Sequence, residues 1–480
     1  MLTLRPLQKL AAVTALMFGF ANLLASIAPA MAQESSSRGE QIEFIRDAEI
    51  ENYLHELADP VYRAAGLDPQ SITIVVVGSN VVNAFVADGM NEFFYTGLLL
   101  LTDTPEQMVG VMAHETGHIA GGHLIRGREA MDNASSEAIL GMILAAAASV
   151  AARDGQAAAA GMSGSEQIAE RSFLGFSRSV EASADAAGMS FLDKSGISTR
   201  GMLEFFKKLE DQNLLPEDRQ TEYVRTHPLT ADRIQAVQGH LDNSPPALRD
   251  AKLPQKFYEM HERMKAKLLG YLEPERALLR YTDKDPRIPA RYALAIAAYR
   301  TSQLDRATKL VDGLIHDEPD NPFFYELKAQ MLFENGRVED AVAGYKKAND
   351  LLPNSSLLKQ AYGHALIESK SPANIDLAIK ELLESNRLED REPLTWRLLA
   401  SAWGQKAERT HDVQYDGMVT YALAEEAVAN GKDKVAGQLA TRAMKALPKG
   451  SPYWLRAQDI KLSTAPEGDD PNKHEKGGDR

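Results

Sequence analysis

The sequence of 480 residues contains no cysteine at all. Without thiols the chain cannot form disulfide bonds, and it cannot build a thiolate metal site. Any metal ion must therefore be held by histidine and carboxylate side chains, which is the ligand chemistry of catalytic rather than structural sites. Signals for retention in the endoplasmic reticulum and for C-terminal lipidation are also missing.

The chain also has fewer basic than acidic residues. The chain has 53 Lys and Arg against 67 Asp and Glu, for a net charge of −14. An acidic protein without a basic patch is poorly suited to nucleic acid, so we expect no nucleic-acid partner. The apolar fraction of 44% is that of an ordinary globular protein, and the length predicts two or three domains.

The N-terminus has the pattern of a secretory signal peptide. Arg5 and Lys9 precede an apolar run over residues 10–28, and the sequence A-M-A at 30–32 fits a cleavage site. We therefore expect residues 1–32 to be removed; an uncleaved membrane anchor is the alternative. Together with the lack of cysteine, this pattern favours the periplasm of a Gram-negative bacterium.

The most informative pattern is H-E-T-G-H at residues 114–118. Positions i and i+4 of a helix lie on one face, so His114 and His118 can bind a single metal ion. Glu115 can hold a water molecule beside that ion. These three residues predict a zinc site with one Zn²⁺ per chain, and a surface helix with two unrelated histidines is the alternative.

The flanking sequence predicts the helix that this motif requires. Thr104 fits the N-cap, Pro105 the first helical position and Gln107 the partner residue of a capping box. Two glycines at 121–122 fit the end of the helix. The motif would then lie well inside a capped helix.

Three β-strands are predicted before the motif helix, at residues 71–77, 83–87 and 93–101, after a helix at 47–66. Peptide substrates commonly add a strand to a sheet edge through main-chain hydrogen bonds. We therefore expect substrate contacts at Asn83, Ala84 and Phe85. The alternative is that residues 83–87 form an inner strand.

A catalytic zinc ion needs a third protein ligand. His123 lies five residues after His118, about 500° of helix, which turns it off the ligand face and argues against a metzincin. Glu181 and Asp185 lie at i and i+4 of an Ala-rich helix predicted within 173–191. Glu181 can be the third ligand, and Asp185 can orient a ligand histidine. A solvated acidic helix face is the alternative.

Several separated motifs between residues 40 and 245 follow one another in a characteristic order. They are N-A-F at 83–85, Y-T-G-L at 95–98, H-E-T-G-H-I-A-G-G-H at 114–123, E-A-S-A-D at 181–185, and H-P at 227–228 followed by Arg233. Together they resemble the gluzincin peptidases of the HtpX and CAAX-prenyl-protease type. The resemblance implies zinc bound by His114, His118 and Glu181, with Glu115 as the catalytic base.

The same resemblance implies catalytic roles for His227 and Arg233. Both residues are expected to contact the oxyanion or the substrate. His227 has a second expected role, because a histidine on a loop near zinc can occupy the open metal position and hold the enzyme inactive.

Residues 138–152 form an apolar segment between the two ligand regions. Fifteen helical residues reach about 22 Å, which is short of a hydrocarbon core of about 30 Å. The segment is expected to be a lid, a peripheral membrane contact or a partner contact, and a buried helix is the alternative.

The C-terminal half has a repeat period near 34 residues. Pro319 and Pro353 are 34 residues apart. The pattern W-x-x-L-A-x-x-W at 396–403 fits the start of a tetratricopeptide repeat, and the small residues and proline at 436–448 fit its end; the spacing is irregular around Pro372 and His411. Such repeats stack into a concave surface that binds proteins, and a structural cap over the peptidase is the alternative.

These observations predict a mainly α protein, with an α+β zincin-like metallopeptidase domain that holds a small β-sheet, followed by an α-solenoid of tetratricopeptide repeats. The expected boundaries are 1–32 for the signal peptide, 33–250 for the peptidase, 251–285 for a helical linker, 286–462 for the repeats and 463–480 for a disordered tail.

The combination of signal peptide, peptidase and repeats resembles periplasmic proteases of outer-membrane protein quality control. The resemblance implies a zinc-dependent endopeptidase for misfolded or stalled outer-membrane proteins, with chaperone-like activity. It also implies contact with the β-barrel assembly machinery through the repeats. Two alternatives are a non-proteolytic assembly factor or adaptor, and a membrane-surface peptidase whose repeats form a dimer interface.

Overall fold

The computed structural model describes residues 43–87, 90–123, 178–211, 220–390 and 392–464. The predicted signal peptide, the apolar segment 138–152 and nearly all of the predicted tail lie outside these ranges. Within them, no helix combines the length and the apolar character that crossing a membrane requires.

The first half of the described chain is a four-stranded sheet with helices packed on it. The strands are β1 (Glu43–Ile45), β2 (Thr73–Gly78), β3 (Ala84–Ala87) and β4 (Asn91–Tyr95). The helices are α1 (Ala48–Ala64), α2 (Thr96–Leu101), α3 (Pro105–Gly121), α4 (178–194), α5 (Arg200–Leu209), α6 (Glu222–Thr226), α7 (Ala231–Asn243) and α8 (Pro246–Arg249), with a 3₁₀ turn at Pro69–Ser71.

The sheet has the order β1-β2-β4-β3. Strands β2 and β4 are parallel, whereas β1 pairs with β2 and β3 pairs with β4 in the antiparallel sense. Phe85 lies opposite Phe93 in the β3–β4 register, and Ala87 lies opposite Asn91. Among the residues that the structure describes, β3 is therefore an edge strand of this sheet, which argues against the inner-strand alternative for residues 83–87.

The prediction of one strand over residues 93–101 was wrong in its second half, because the strand stops at Tyr95 and α2 follows. The Thr96 hydroxyl donates a hydrogen bond to the carbonyl of Ser79 at 2.7 Å. A Cβ on Gly97 would lie 2.3 Å from the carbonyl oxygen of Asn80. These contacts with a distant loop turn the chain, and an apolar composition alone cannot reveal them.

Helix α3 carries the 114–118 motif and begins as predicted. Thr104 is the N-cap, and its Oγ1 accepts a hydrogen bond from the N–H of Gln107 at 3.3 Å. In a capping box the Gln107 side chain would accept a hydrogen bond from the N–H of Thr104. Here Gln107 Oε1 accepts instead from the N–H of the preceding residue, Asp103, at 2.9 Å. Gly122 ends the helix in a left-handed conformation with φ 61°, which glycine adopts at little cost.

Helices α3 and α4 are in backbone contact because small residues face each other between them. A Cβ on Gly117 would lie 2.5 Å from the carbonyl oxygen of Ala184, and one on Gly188 would lie 2.9 Å from that of Ala113. Neither position has room for a methyl group. This close approach brings Glu181 of α4 beside the motif.

Gly117→Ala is expected to push these two helices apart. Because the clashing atoms belong to the backbone, the free energy of unfolding should fall by about 1–3 kcal/mol, as in other overpacked cores, and zinc affinity should fall with it. Denaturant unfolding and metal analysis of the purified variant test this. The control is Gly239→Ala in α7, where an added Cβ meets nothing within 4 Å; equal stability of the two variants would contradict the prediction.

The second half is an array of helix pairs. The helices are α9 (Gln255–Leu272), α10 (Pro274–Arg280), α11 (Ile288–Arg300), α12 (Leu304–Asp317), α13 (Pro322–Glu334), α14 (Val338–Leu351), α15 (Ser356–Glu368), α16 (Asn374–Leu388), α17 (Pro393–Thr410), α18 (Val413–Ala429), α19 (Asp433–Ala446) and α20 (Pro452–Ser463). This arrangement confirms the predicted class, a mainly α chain with an α+β domain before tetratricopeptide-like repeats.

The repeat period is visible in the helix starts. Helices α11, α13 and α15 begin at Ile288, Pro322 and Ser356, which are 34 residues apart. The irregular spacing arises later, because α17 and α18 contain 18 and 17 residues, and His411 caps α17 with φ 56°. The predicted repeat start at 396–403 lies on α17 and the predicted end at 436–448 begins on α19. Helix α18 therefore separates them, and they do not belong to one helix pair.

A buried ionic cluster joins the peptidase to the repeats. Glu49 of α1 accepts hydrogen bonds from Arg263 of α9 at 2.9 Å and from the Tyr292 hydroxyl of α11 at 2.7 Å. Lys267 Nζ lies 2.8 Å from Asp47 Oδ2 and 3.4 Å from Glu49 Oε2. Helix α9 thus contributes to both halves, which fixes the repeats against the peptidase.

Candidate metal and catalytic site

Four side chains that can bind a metal ion converge where α3, α4 and the end of α6 meet. They are His114, His118, Glu181 and His227, and one ligand atom from each lies within 4.8 Å of the others. The Nε2 atoms of His114 and His118 are 3.1 Å apart. Oxygens of Glu181 lie 3.4 Å from the first nitrogen and 3.5 Å from the second.

This cluster fits a zinc ion. Ligands bound tetrahedrally at about 2.0 Å from zinc are about 3.3 Å from one another, which is close to the spacing of His114, His118 and Glu181. Both carboxylate oxygens of Glu115 are buried and lack a hydrogen-bond donor among the described residues. Such orphaned acceptors suit a cation and a water molecule. The donor set of two imidazoles and a carboxylate is typical of catalytic zinc.

His227 is the fourth member of the cluster. Its Nε2 lies 3.7 Å from Glu115 Oε1, and its ring centroid is 5.3 Å from that of His114. The Nδ1 atom is 2.9 Å from the Thr226 hydroxyl. Burial lowers the pKa of His227 to about 4, so the ring is neutral at pH 7. A neutral ring at this position can contact either the metal or the reacting group.

Asp185 and Arg233 support the ligands. Asp185 Oδ1 lies 2.8 Å from His114 Nδ1, which leaves Nε2 of that ring for a metal. Arg233 donates through Nε and Nη2 to Asp185 at 2.6 and 2.9 Å. Its Nη1 lies 2.9 Å from Glu181 Oε2 as an ion pair. Arg233 is only 5% exposed, so its guanidinium faces the ligand supports.

The ionisable groups of the site shift one another strongly. Burial raises the pKa of Glu115 to about 7, against the positive charge of His114. Burial lowers the pKa of His114, but the hydrogen bonds with Asp185 and Glu181 prevail and raise it to about 10. Burial alone would raise the pKa of Glu181, but the hydrogen bond with His114 and the positive charge of Arg233 prevail and lower it. A proton on His114 therefore competes with metal for the site.

His123 contacts the second ligand from the other side of its ring. Helix α3 ends at Gly121, and the chain turns so that His123 Nδ1 lies 3.2 Å from His118 Nδ1. The sequence placed His123 off the ligand face, and the structure agrees. His123 is not in the metal-facing cluster, and it can orient His118 as Asp185 orients His114.

The predicted substrate residues lie where β3 begins. Asn83 and Ala84 are buried, and Phe85 is half-buried and stacks on Phe93 with centroids 4.8 Å apart. The N–H of Tyr95 donates to the carbonyl of Asn83. Because antiparallel pairing alternates, the N–H and C=O of Ala84 point away from β4, toward the open edge.

Two residues near the site, Tyr223 and Glu92, were not predicted from the sequence. Tyr223 stacks on His227 with centroids 4.7 Å and planes 23° apart; its i, i+4 spacing to His227 was an available signal. Glu92 is fully buried on β4 and accepts hydrogen bonds from the Tyr62 and Thr116 hydroxyls at 2.8 and 3.3 Å. Burial raises the pKa of Glu92 to about 8. The sequence did contain a sign of this position, because side chains alternate along a strand and Glu92 therefore shares a face with Phe94.

A helix-borne H-E-x-x-H motif, a carboxylate ligand from the neighbouring helix and an unsatisfied buried glutamate define a metallopeptidase site. Residues 45–241 match the family model described as Peptidase family M48. The chain therefore carries an M48 peptidase domain and is a metalloprotease.

Similarity to characterised proteins extends beyond that domain. The chain is 25% identical over 399 residues to the beta-barrel assembly-enhancing protease of Yersinia pestis, covering 79% of each chain. It is 25% identical over 369 residues to the protein of the same name from Escherichia coli (strain K12), covering 75% of this chain and 72% of that one. The solved structure of MamA MSR-1 C2 is similar over 38% of this chain and 97% of that chain, with 23% identity and a TM-score of 0.29.

Proposed function

We propose that this protein is a zinc-dependent endopeptidase that cleaves misfolded or stalled outer-membrane proteins in the periplasm. The observation that carries the chemistry is the buried Glu115 carboxylate, which has no hydrogen-bond partner in the described part of the chain and lies beside three candidate ligands at tetrahedral spacing. The names of the relatives support an outer-membrane role. The signal-peptide pattern at residues 1–32 supports the periplasm.

The proposed mechanism assigns His114, His118 and Glu181 as the zinc ligands. Zinc, when bound, supplies Lewis-acid chemistry, because it lowers the pKa of a water molecule to about 7 and polarises a carbonyl. Glu115 takes a proton from the attacking water and returns it to the leaving amine. Burial raises the pKa of Glu115 to about 7, so this side chain can both accept and return a proton near neutral pH. Asp185 fixes the His114 tautomer.

Arg233 is proposed to act by position rather than by substrate contact. Its guanidinium is shared between Asp185 and Glu181 and lies over the Phe206 ring at 5.1 Å. It therefore keeps both carboxylates ionised and fixes their directions.

Substrate is proposed to bind along the open edge of β3. The outward N–H and C=O groups of Ala84 and Val86 can pair with an extended peptide in any sequence context. The side chain of Phe85 lies on the face of β3 opposite to those of Ala84 and Val86. It can pack against a substrate side chain. Such main-chain pairing suits an unfolded protein substrate, because it needs exposed backbone.

The repeats are proposed to hold protein partners, including the β-barrel assembly machinery, and chaperone-like activity would use the same surface. Stacked helix pairs of this kind offer a concave face for protein segments. Site-specific crosslinking from the repeat helices in whole envelopes should capture components of that machinery. Capture of copies of this chain alone would favour the dimer-interface alternative.

The proposed function predicts zinc-dependent cleavage of an unfolded outer-membrane barrel protein. The purified zinc-loaded chain should produce fragments; a chelator should stop cleavage, and added zinc should restore it. The same barrel protein folded in detergent is the control and should resist, because its backbone is paired. If the zinc-loaded protein binds the unfolded substrate without cutting it, the non-proteolytic adaptor becomes the better account.

His227→Ala is expected to raise the basal rate about tenfold, which corresponds to about 1.4 kcal/mol. The reason is that His227 Nε2 lies among the ligand atoms, where it can fill the position that substrate needs. Initial rates on one peptide substrate measure this. His240→Ala is the control, since His240 pairs with Asp193 away from the site. A lower rate in His227→Ala would instead assign His227 to the reacting carbonyl.

A further inference from the structure

An unpaired phenol lies beside the ligand cluster. Tyr223 of α6 is 3% exposed, and its hydroxyl has no hydrogen-bond partner among the described residues. The ring is held firmly, because it stacks on His227 at 4.7 Å and meets the edge of Phe205 at 5.5 Å. The Tyr223 N–H also donates to the carbonyl of Val82 at 3.0 Å. Helix α6 is thus tied to the loop that leads into the edge strand β3.

A buried hydroxyl without a partner reduces stability, and most such groups in proteins have one. The unpaired atoms of the proposed site are of two kinds. The two Glu115 oxygens, which have no hydrogen-bond partner among the described residues, are acceptors and suit a water molecule beside a cation. The Tyr223 hydroxyl can donate, which suits the oxygen of a substrate carbonyl. The aromatic ring of Tyr223 makes the packing contacts with His227 and Phe205 without help from the hydroxyl. The hydroxyl is therefore available to an incoming group.

We propose that Tyr223 is a catalytic residue that donates a hydrogen bond to the oxygen of the scissile carbonyl. This inference rests on the proposed function. The oxygen of the attacking water forms the new C–O bond, the carbonyl π pair moves onto its own oxygen, and the proton of the water goes to Glu115. Tyr223 stabilises the charge on the carbonyl oxygen and keeps its own proton. In the second step the extra pair on the carbonyl oxygen re-forms the C=O bond, the C–N bond breaks with its pair on nitrogen, and the proton on Glu115 passes to the amine.

The position of Tyr223 agrees with this role. A peptide paired with β3 passes the Val82 loop, to which α6 is tied. His227, which contacts the Tyr223 ring, also lies 3.7 Å from the proposed base Glu115. Donors placed where charge develops act most strongly in a buried site, because water does not compete with them.

The test is Tyr223→Phe in the full-length, zinc-loaded protein. The change keeps the ring and removes only the hydroxyl, so kcat should fall about 100-fold, as for loss of one oxyanion donor, with KM within about twofold. Affinity for a phosphinic peptide, whose charged oxygen mimics the reacting carbonyl, should fall at least about tenfold by calorimetry. Zinc content should not change, and the melting temperature of the metal-free protein should not fall.

The control is Tyr345→Phe, which makes the same change in the core of the repeats and should leave all these values unchanged. Unchanged kcat and phosphinic-peptide affinity in Tyr223→Phe would overturn the proposal while wild-type cleavage stands. Loss of zinc or a lower melting temperature would also overturn it, because the hydroxyl would then be structural. An inactive zinc-loaded wild type, no better than Glu115→Gln, would overturn the proposed function itself.

Discussion

Glu115→Gln should reduce proteolysis by about 10⁴-fold, the upper end of what a general base contributes. Glutamine keeps the shape of the side chain but cannot take a proton from water. Both Glu115 oxygens are buried without partners among the described residues, so the neutral amide removes a costly buried charge. The free energy of unfolding should therefore stay the same or rise. The two histidines and Glu181 remain, so zinc content should stay near one ion per chain.

Fragment release from an unfolded substrate, elemental analysis and thermal unfolding together test this expectation. Glu204→Gln is the matched control, because Glu204 is an exposed glutamate on α5 and should keep wild-type activity. Full activity in Glu115→Gln would remove Glu115 from the chemistry. Loss of zinc in the same variant would show that its carboxylate serves the metal site rather than the reaction.

Arg233→Leu should lower the free energy of unfolding by about 3–5 kcal/mol, the range for breaking a buried ion pair. The variant leaves Asp185 and Glu181 buried without their shared cation. It also loses the contact over Phe206. Zinc affinity should drop, because Glu181 and the His114–Asp185 pair lose their fixed directions. Arg233→Lys should recover only part of the loss, since an ammonium group cannot bridge both carboxylates as a guanidinium does.

Denaturant unfolding of the metal-free and zinc-loaded proteins measures this loss. Arg225→Leu is the control, because Arg225 pairs with Glu222 on an exposed helix face and such pairs contribute about 0–1 kcal/mol. Similar losses in both variants would contradict the assignment of Arg233 to the ligand supports. Adding Asp185→Asn to Arg233→Leu should recover part of the stability, because it removes one of the unpaired charges.

The motif helix shows what local sequence can predict. Thr104, Pro105 and Gly122 act within one or two turns of α3, so its two ends could be read from neighbouring residues. The i, i+4 spacing then places His114 and His118 together wherever that helix packs. The repeat helices were predicted for the same reason, because each unit depends on contacts within about 34 residues.

The third ligand shows where local pattern is insufficient. Spacing placed Glu181 and Asp185 on one helix face, but composition alone left a solvated face open, and only family resemblance joined them to zinc. In the structure Gly117 and Ala184 let α4 approach α3. The sequence showed these small residues without showing which surfaces they would bring together.

The sequence by itself determined the ligand chemistry, the motif helix, the presence of a strand near residues 83–87 and the repeat period, because each depends on residue type or on short-range spacing. Only the tertiary structure decided that β3 lies at the edge of the described sheet, that α2 replaces a strand, and that Arg233 faces Asp185 and Glu181. It also decided that the Tyr223 hydroxyl has no hydrogen-bond partner among the described residues. These features depend on contacts between segments far apart in the chain. Their free energies come from burial and from partners that no local pattern specifies.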